Sequence, residues 1–412
     1  DLIRSRGLGD VYKRQDLAKY LHACAGYPVI ETWIKAIKNG YYASWPKLNR
    51  FTGPTWIAKH LQKSIITTMG HMKAARQGTR STTKKKDKEV KEEKEEEELS
   101  LEPPRPHLER DKNHQVICAV IPAKELKGLV CTDLPGKFPI ESELKNNYIF
   151  IMYDFDSNNI LGKPIKSRDK SELVRGFEMC YKELQEANIT PILHRLDNEV
   201  SDDLIEAIKK KKLKYQIITA YDHRQNLAER AIQTYKSYLI SNLHGTDREF
   251  PATLWCRLLV QVELQVNLMR PSRINPNQSA WEELHGTFDF NATPLAPLGT
   301  KGVIYISPKA RDTSYSDHGK EGWYIGPVYD KYRNYKIYIP STNGTRDSNA
   351  VEFFPTKCRI PNSTDADQQI SALEDLAYEM KQTYKNENRN TINGHGTPCL
   401  LYTSPSPRDL RR

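Results

Sequence analysis

The sequence predicts an α/β protein whose mixed sheet is flanked by helices, with a small helical region before it and a small β-barrel after it. Two observations predict the sheet: strand and helix patterns alternate between residues 128 and 268, and Asp156–Asn159 is a hairpin turn signal. The barrel is predicted by short strand patterns after Pro271, where proline becomes frequent.

The region from Asp16 to about Ser81 is expected to form a small helical unit. Residues Thr32–Ile37 have amphipathic helical spacing, and Asn39-Gly40 is a natural stop for that helix. The tract Lys84–Pro104 is rich in lysine and glutamate and too poor in apolar residues to order itself, which predicts a linker.

Beyond the linker, each element of the core is predicted from its periodicity. The predicted strands are Gly128–Thr132, Tyr148–Tyr153, Ile160–Ile165, Thr190–Leu196 and Tyr215–Thr219. The predicted helices are Ser171–Ala187, Ser201–Lys211, Asn226–Leu243 and Pro251–Leu268. Short strands at 302–306, 322–325, 335–339 and 350–354 suit the barrel, and Asp365–Asn386 is predicted as a last helix.

Charge and cysteine content limit the classes of function. The chain has 62 Lys and Arg against 52 Asp and Glu, and one acidic tract at 87–102 holds many of the negative charges. The remainder is cationic, which suits a polyanionic partner such as nucleic acid. The 7 cysteines form no CxxC pair, so a reducing compartment is expected, and no apolar run approaches the length of a membrane span.

Three carboxylates occupy positions where catalytic acids would be expected. Asp133 closes the first strand, Asp197 closes the fourth, and Glu229 lies in the first turn of a helix. Clustered carboxylates repel one another unless cations lie between them, and hard oxygen ligands suit Mg²⁺ or Mn²⁺. Two such ions about 3.5–4 Å apart would activate a hydroxyl and stabilise the leaving oxygen in an in-line attack on phosphorus.

Each acid also has a purely structural interpretation. Asp133 would cap the turn before Pro135, Asp197 would belong to an ordinary strand-to-helix turn, and Glu229 would be a favourable acid near a helix N-terminus. Asp154 and Asp156 are reserve candidates for the first ligand, although their place in the hairpin favours a turn role.

The residues around these acids resemble a known family. TDLPGKFP, LDNE and above all QNLAER are similar to the signatures of copia-type LTR retrotransposon integrases, in the DDE integrase and transposase group. YLHACAGYP, TWIKAIKNG and GHMKAARQGTRST resemble the region before the integrase core, and GWYIGPVYDKYRNYKIYIP resembles the small C-terminal barrel. The resemblance implies an RNase H-like core, an SH3-like barrel, and Asp133, Asp197 and Glu229 as the metal-binding catalytic triad. The 32-residue separation of the last two acids agrees with the shorter spacing of some such elements.

Several residues near Glu229 are candidates for DNA contacts. Gln233 and Lys236 follow at i+4 and i+7 on one helical face, and His223, Arg224 and Asn226 occupy the preceding loop and cap. Phosphate contacts of this kind position a substrate without reading its sequence. A solvated basic face is the alternative interpretation of Lys236.

Two further signals are weighed in the flanking regions. Many integrases carry a zinc module before the core, but His22, Cys24, His60 and His71 offer no convincing pair of cysteines, so zinc is not predicted. In the last domain, aromatic residues alternate with Lys331, Arg333 and Lys336, which fits either a nucleic-acid grip or a barrel core. The aromatic residues are Trp323, Tyr324, Tyr332, Tyr335 and Tyr338.

The domain prediction follows from these patterns. Ser5–Gln15 and Cys399–Asp409 resemble translated sequencing-adapter sequence, so both ends are left out of the fold prediction. The predicted segments are 1–15 foreign, 16–83 helical, 84–110 linker, 111–275 catalytic core, 276–362 barrel, 363–398 helix and tail, and 399–412 foreign.

The leading functional prediction is an integrase that processes DNA 3′ ends and performs strand transfer with two Mg²⁺ or Mn²⁺ ions. Its partners would be double-stranded DNA, as element cDNA ends and target, and further copies of the chain, with no membrane. It would act in the nucleus after a cytoplasmic virus-like particle stage. The alternatives are an RNase H-type nuclease and an inactive or repurposed DNA-binding relic.

Overall fold

The computed structural model describes residues 2–73, 127–196, 201–218, 227–311, 313 and 315–360, and the single positions 373, 376 and 380. Side chains are described from residue 13 onward. The linker 84–110 and the predicted helix Asp365–Asn386, apart from those single positions, lie outside the described residues.

Within residues 2–73, the described part of the chain before the core, there are four helices: α1 (Leu2–Cys24), α2 (Ile30–Lys38), α3 (Gly53–His60) and α4 (Ile65–His71). The expected amphipathic helix is α2, which buries Trp33, Ala36 and Ile37 and ends before Asn39. α1 begins inside the adapter-like segment 1–15. Among the described residues, no helix combines the length and apolar character needed to cross a bilayer.

The first sheet contains five strands in the order β3-β2-β1-β4-β5. β1 pairs with β2, and β2 with β3, in antiparallel fashion, whereas β4 runs parallel to both β1 and β5. The predicted mixed sheet is therefore confirmed. Its strands are β1 (Leu129–Asp133), β2 (Tyr148–Asp154), β3 (Ile160–Ile165), β4 (Leu193–Leu196) and β5 (Lys214–Ile217).

Helices cover both faces of this sheet. Alternate residues of β2 enter two different cores, because successive strand side chains point to opposite faces. Phe150 and Met152 pack with α5 (Lys170–Glu186) and α6 (Asp202–Lys210). Ile149, Ile151 and Tyr153 pack on the other face, under α7 (Leu227–Gly245) and α8 (Trp255–Leu268).

α8 joins the sheet to the regions before and after it. Nearly all of its residues are buried. The side chains of two of its glutamines form hydrogen bonds with residues before and after the core. Gln265 Nε2 donates to the Cys24 carbonyl at 2.8 Å, and Gln261 Nε2 donates to the Ala296 carbonyl at 3.0 Å. The Tyr324 hydroxyl donates to Gln261 Oε1 at 2.8 Å, so helical region, core and C-terminal sheet share one interior.

The C-terminal region follows α9 (Ala280–His285) and contains a five-stranded antiparallel sheet in the order β10-β6-β7-β8-β9. Four of its strands match the predicted ones: β6 (Lys301–Tyr305), β7 (Gly319–Pro327), β8 (Tyr335–Ile339) and β10 (Val351–Phe353). The fifth, β9 (Gly344–Ser348), was not predicted. The SH3-like barrel stays a prediction.

Candidate active site

Asp133 is the last residue of β1, the central strand. The parallel strand β4 ends beside it, so both strands end at the same side of the sheet. Strand alternation places Asp133 on the same face as Leu129 and Cys131. Those two side chains pack against Ala228 of α7. The Asp133 side chain is half-buried, and its Oδ1 accepts a hydrogen bond from the Leu134 backbone N–H at 2.6 Å.

Glu229 lies in the first turn of α7 and is exposed. The preceding residue, Ala228, is completely buried against Leu129 and Cys131 of β1, which fixes the start of α7 over that strand. The structure thus places Glu229 and Asp133 on the same side of the sheet. The opposite placement would have removed the basis for a shared site.

Asp197 lies outside the described residues, as do His223, Arg224 and Asn226. β4 can be followed to Leu196, the residue before Asp197. The parallel register pairs Cys131 with Arg195, and Leu193 packs with Leu129 and Cys131 on the α7 face. Leu196 enters the opposite core, so Leu193 and Arg195 are the β4 residues on the Glu229 side.

Gln233 and Lys236 are exposed on α7, one and two turns beyond Glu229. Gln233 and Arg230 line a cleft of about 280 Å³ that is also bordered by Lys73. Lys236 borders a separate, apolar cavity of about 490 Å³. The helix therefore presents a carboxylate, an amide and a lysine along one side.

The reserve candidates Asp154 and Asp156 have local structural partners. Asp154 Oδ2 accepts hydrogen bonds from the Ser157 N–H at 2.8 Å and the Ser157 hydroxyl at 2.5 Å. Burial raises the pKa of Asp154 to about 6, against the lowering effect of Ser157. Asp156 Oδ2 accepts from the Gly128 N–H at 2.8 Å. Asp154 pairs with Val130, three residues before Asp133, so these acids lie near the other end of β1.

The upstream histidines and cysteine occupy separate environments. His22 is buried, its Nε2 lies 2.8 Å from the Pro28 carbonyl oxygen, and burial lowers its pKa to about 4. The Cys24 thiol donates to the Leu295 carbonyl at 3.4 Å, and His71 packs edge-on against Tyr238. Within the described residues, none of His22, Cys24, His60 and His71 belongs to a group of three close metal-ligating side chains.

One charged cluster was not predicted from the sequence. We define the Lys163 cluster as Lys163 of β3, Glu183 of α5, Glu263 of α8 and His285 of α9. Lys163 Nζ lies 2.5 Å from Glu183 Oε2 and 3.1 Å from Glu263 Oε2, and His285 Nε2 lies 3.3 Å from Glu183 Oε1. Glu183, Glu263 and His285 are close enough to share a metal ion, but the Lys163 ammonium already lies against both carboxyl groups.

The pKa values in the Lys163 cluster move in opposite directions. Burial raises the pKa of Glu263 to about 8, although Lys163 opposes this change. Burial also acts to raise the pKa of Glu183, but the His285 hydrogen bond and the Lys163 charge outweigh it and lower the value to about 2. A glutamate inside the apolar run LLVQVELQV was the available sequence signal for this cluster.

The aromatic residues of the C-terminal sheet are mainly structural. Trp323, Tyr324 and Tyr338 are buried, whereas Tyr332 is 71% exposed. Lys331 forms an ion pair with Asp347 at 2.7 Å. The barrel-core interpretation therefore accounts for most of the aromatic residues, and Tyr332 is the one left largely at the surface.

Comparison with known proteins gives matches only among solved structures. No family model matches the chain, and no curated protein matches it. A simian T-cell lymphotropic virus intasome bound to PP2A regulatory subunit B56 gamma aligns at 13% identity and TM-score 0.31, covering 57% of this chain and 79% of that one.

Two isolated integrase cores also align. The HTLV-2 integrase catalytic core domain with magnesium aligns at 15% identity and TM-score 0.28, covering 38% of this chain and 95% of that one. The BIV integrase catalytic core domain aligns at 13% and 0.28, covering 38% and 93%.

Proposed function

We propose that this chain is a DDE-type polynucleotidyl transferase, the integrase of a copia-type LTR retrotransposon, with an RNase H-like core. The observation that carries the proposal is the packing of Ala228 on β1, which holds Glu229 on the same face of the sheet as Asp133. The motifs TDLPGKFP, LDNE and QNLAER, read from the sequence, support the same conclusion.

The third acid of the proposed triad is Asp197. β4 alternates so that Leu193 and Arg195 face α7, and extending that alternation by two residues would give Asp197 the same side. Carboxylates from two neighbouring strand ends and one helix would then converge. Such a hard oxygen donor set fits two Mg²⁺ or Mn²⁺ ions.

When bound, the ions would supply Lewis acidity to the attacking hydroxyl and to the leaving oxygen. Asp133, Asp197 and Glu229 would hold them, and no covalent enzyme intermediate is needed. Lys236 and Gln233, with His223, Arg224 and Asn226, would position DNA phosphates beside the acids. The substrates would be element cDNA ends and target DNA, joined by at least a dimer in the nucleus after a virus-like particle stage.

The test is strand transfer by the full chain on short duplex DNA ends with Mg²⁺. Glu229→Gln should abolish the products. The matched control is Glu178→Gln, because Glu178 is an exposed glutamate of α5 on the opposite face of the sheet. Both variants should keep the wild-type unfolding midpoint, since each changes an exposed side chain.

The outcomes separate the candidate functions. Joined DNA products that disappear in Glu229→Gln and persist in Glu178→Gln support the integrase. Cleavage of an RNA–DNA hybrid without strand transfer would identify an RNase H-type nuclease. DNA binding with neither reaction would identify an inactive relic and refute the proposal.

A further inference from the structure

A cavity of about 490 Å³ lies beside the strand-end acids, between α7 and the loop that follows Asp133. Its walls are apolar and come from the loop, β2 and α7. They include Phe138, Ile149, Ile151, Tyr235, Leu239 and Leu243. A volume of this size lies in the range of about 300–1,000 Å³ typical of small-molecule pockets.

The loop wall of the cavity is fixed by contacts on its far side. Phe138 stacks on Trp255 of α8 with ring centroids 4.2 Å apart, and the Trp255 indole N–H donates to the Ile140 carbonyl at 2.9 Å. The Phe138 backbone N–H donates to the Asn147 carbonyl at 2.7 Å. These contacts hold the loop in position, so the cavity is preformed and a ligand need not order the loop in order to bind.

The basic side chains of the cavity lie at its rim, and the one other ionisable group, the buried Tyr235 hydroxyl, is held neutral because burial raises its pKa. Lys137, Lys236 and His244 border it, and all three are exposed. No aspartate or glutamate is among the described residues that line it. A ligand with a negative group at the rim would complement these side chains, because no acid neutralises them within the lining.

We propose that this cavity binds a small organic anion with an apolar body, such as an aryl or alkyl carboxylate. The body would displace water from the walls of β2 and α7, and the anionic group would meet Lys137 and Lys236 at the rim. A nucleobase fits less well, because its polar edges would find few hydrogen-bond partners on these side chains. The proposal concerns binding and does not rest on the integrase activity.

The cavity is formed in part by the two chain segments that carry Asp133 and Glu229. Its loop wall begins two residues after Asp133, and its helical wall begins one turn after Glu229. A ligand that fills the space therefore contacts both segments that carry the strand-end acids. This one consequence rests on the proposed function: if the acids bind Mg²⁺, occupancy that shifts either segment changes their affinity for Mg²⁺, and Mg²⁺ then changes ligand affinity by the same factor.

The first test is fluorescence titration of the full chain with 8-anilinonaphthalene-1-sulfonate, an aromatic anion. We expect saturable binding of one dye. Leu243→Trp, which fills part of the cavity with a half-buried side chain, should weaken binding about tenfold. The matched control is Val260→Trp, at a 52% exposed position of α8 away from the cavity, which should leave affinity unchanged.

A second pair of measurements tests the charge requirement. Lys137→Gln should weaken the anionic dye about threefold to tenfold and leave the neutral analogue N-phenyl-1-naphthylamine unaffected. Equal losses for both dyes, or equal losses in Leu243→Trp and Val260→Trp, would overturn the proposal. So would a short DNA duplex that displaces the dye and itself binds Leu243→Trp more weakly, since that result assigns the cavity to a nucleobase.

Discussion

The Lys163 cluster and the strand-end acids differ in the source of the cation that faces their carboxylates. In the Lys163 cluster, a lysine ammonium of the chain itself lies within 3.1 Å of both glutamates. Glu263 is buried, and Lys163 and Glu183 are half-buried. At the strand end, Asp133 is half-buried and Glu229 is exposed to solvent. The Lys163 cluster joins β3, α5, α8 and α9 to one another. The strand-end acids, in contrast, are accessible to a cation from solution.

The difference follows from the elements that supply the residues. Lys163, Glu183, Glu263 and His285 come from one strand and three helices that cross inside the protein. Removing one partner from a buried ion pair leaves an uncompensated charge, which costs about 3–5 kcal/mol. Removing an acid from an exposed helix turn leaves water in its place and costs little.

The largest expected effect is therefore Lys163→Met. It should lower the free energy of unfolding by about 3–5 kcal/mol, because the ionised Glu183 loses its cation and the buried Glu263 loses the ammonium beside it. Urea denaturation monitored by circular dichroism measures the change in the free energy of unfolding. Asp133→Asn is the comparison variant and should shift stability by no more than about 0.5 kcal/mol. Similar losses in the two variants would erase the proposed difference between the groups.

Cation binding gives the next effect. Mg²⁺ at one hundred times its dissociation constant should raise the free energy of unfolding of the wild type by about 2.7 kcal/mol. Asp133→Asn should abolish this gain, since the strand-end acids are the proposed ligands. Glu263→Gln should retain it. A gain that depends on Glu263 instead would show that the metal enters the Lys163 cluster.

Much of this arrangement was predictable from periodicity. A short apolar segment located β1, and helical spacing located α7, so Asp133 at a strand end and Glu229 in a first helical turn followed from the sequence. Their common side of the sheet did not follow, because it depends on Ala228 packing against Leu129 and Cys131, about 100 residues away.

Other features gave little sequence signal. β9 has the polar sequence GTRDS and exists because its backbone pairs with β8, from Tyr335–Ser348 to Ile339–Gly344. The Lys163 cluster joins residues as much as 122 positions apart. α9 was visible in principle, since Ser279 and Glu282 form a capping box with reciprocal hydrogen bonds at 3.1 and 2.9 Å.

Glycines next to each group give a third, smaller contrast. A Cβ on Gly162, beside Lys163, would lie 2.4 Å from the buried Tyr235 ring, so Gly162→Ala should cost about 1–3 kcal/mol. Gly136, three residues after Asp133, has φ of +89° but no neighbour within 4 Å of a Cβ. Gly136→Ala should cost only the left-handed strain of about 1–2 kcal/mol.

Urea midpoints of the two glycine variants check this prediction, and their crystal structures locate the cause. Gly162→Ala should displace Tyr235, whereas Gly136→Ala should leave every side chain in place. A displaced Tyr235 in Gly136→Ala, or an undisturbed one in Gly162→Ala, would contradict the difference in packing between the two regions.

Measured over a single pH unit, the smallest effect is a pH dependence that only the Lys163 cluster should show. Burial raises the folded-state pKa of Glu263 from an ordinary 4.5 to about 8. Its protonated form is thus favoured in the folded protein, so its contribution to stability is complete below pH 4.5 and is lost as pH rises through 8. Glu183 acts in the opposite direction, but only as pH falls from 4.5 to about 2.

Between pH 5 and 8, Glu263→Gln should therefore remove up to about 1.4 kcal/mol per pH unit of the wild-type slope. Glutamine can still accept the Gly162 N–H that Glu263 Oε2 accepts at 2.9 Å, so this variant changes the charge while keeping the contact. Glu178→Gln, at the surface of α5, should keep the full slope, and an equal flattening in both variants would remove Glu263 as its source.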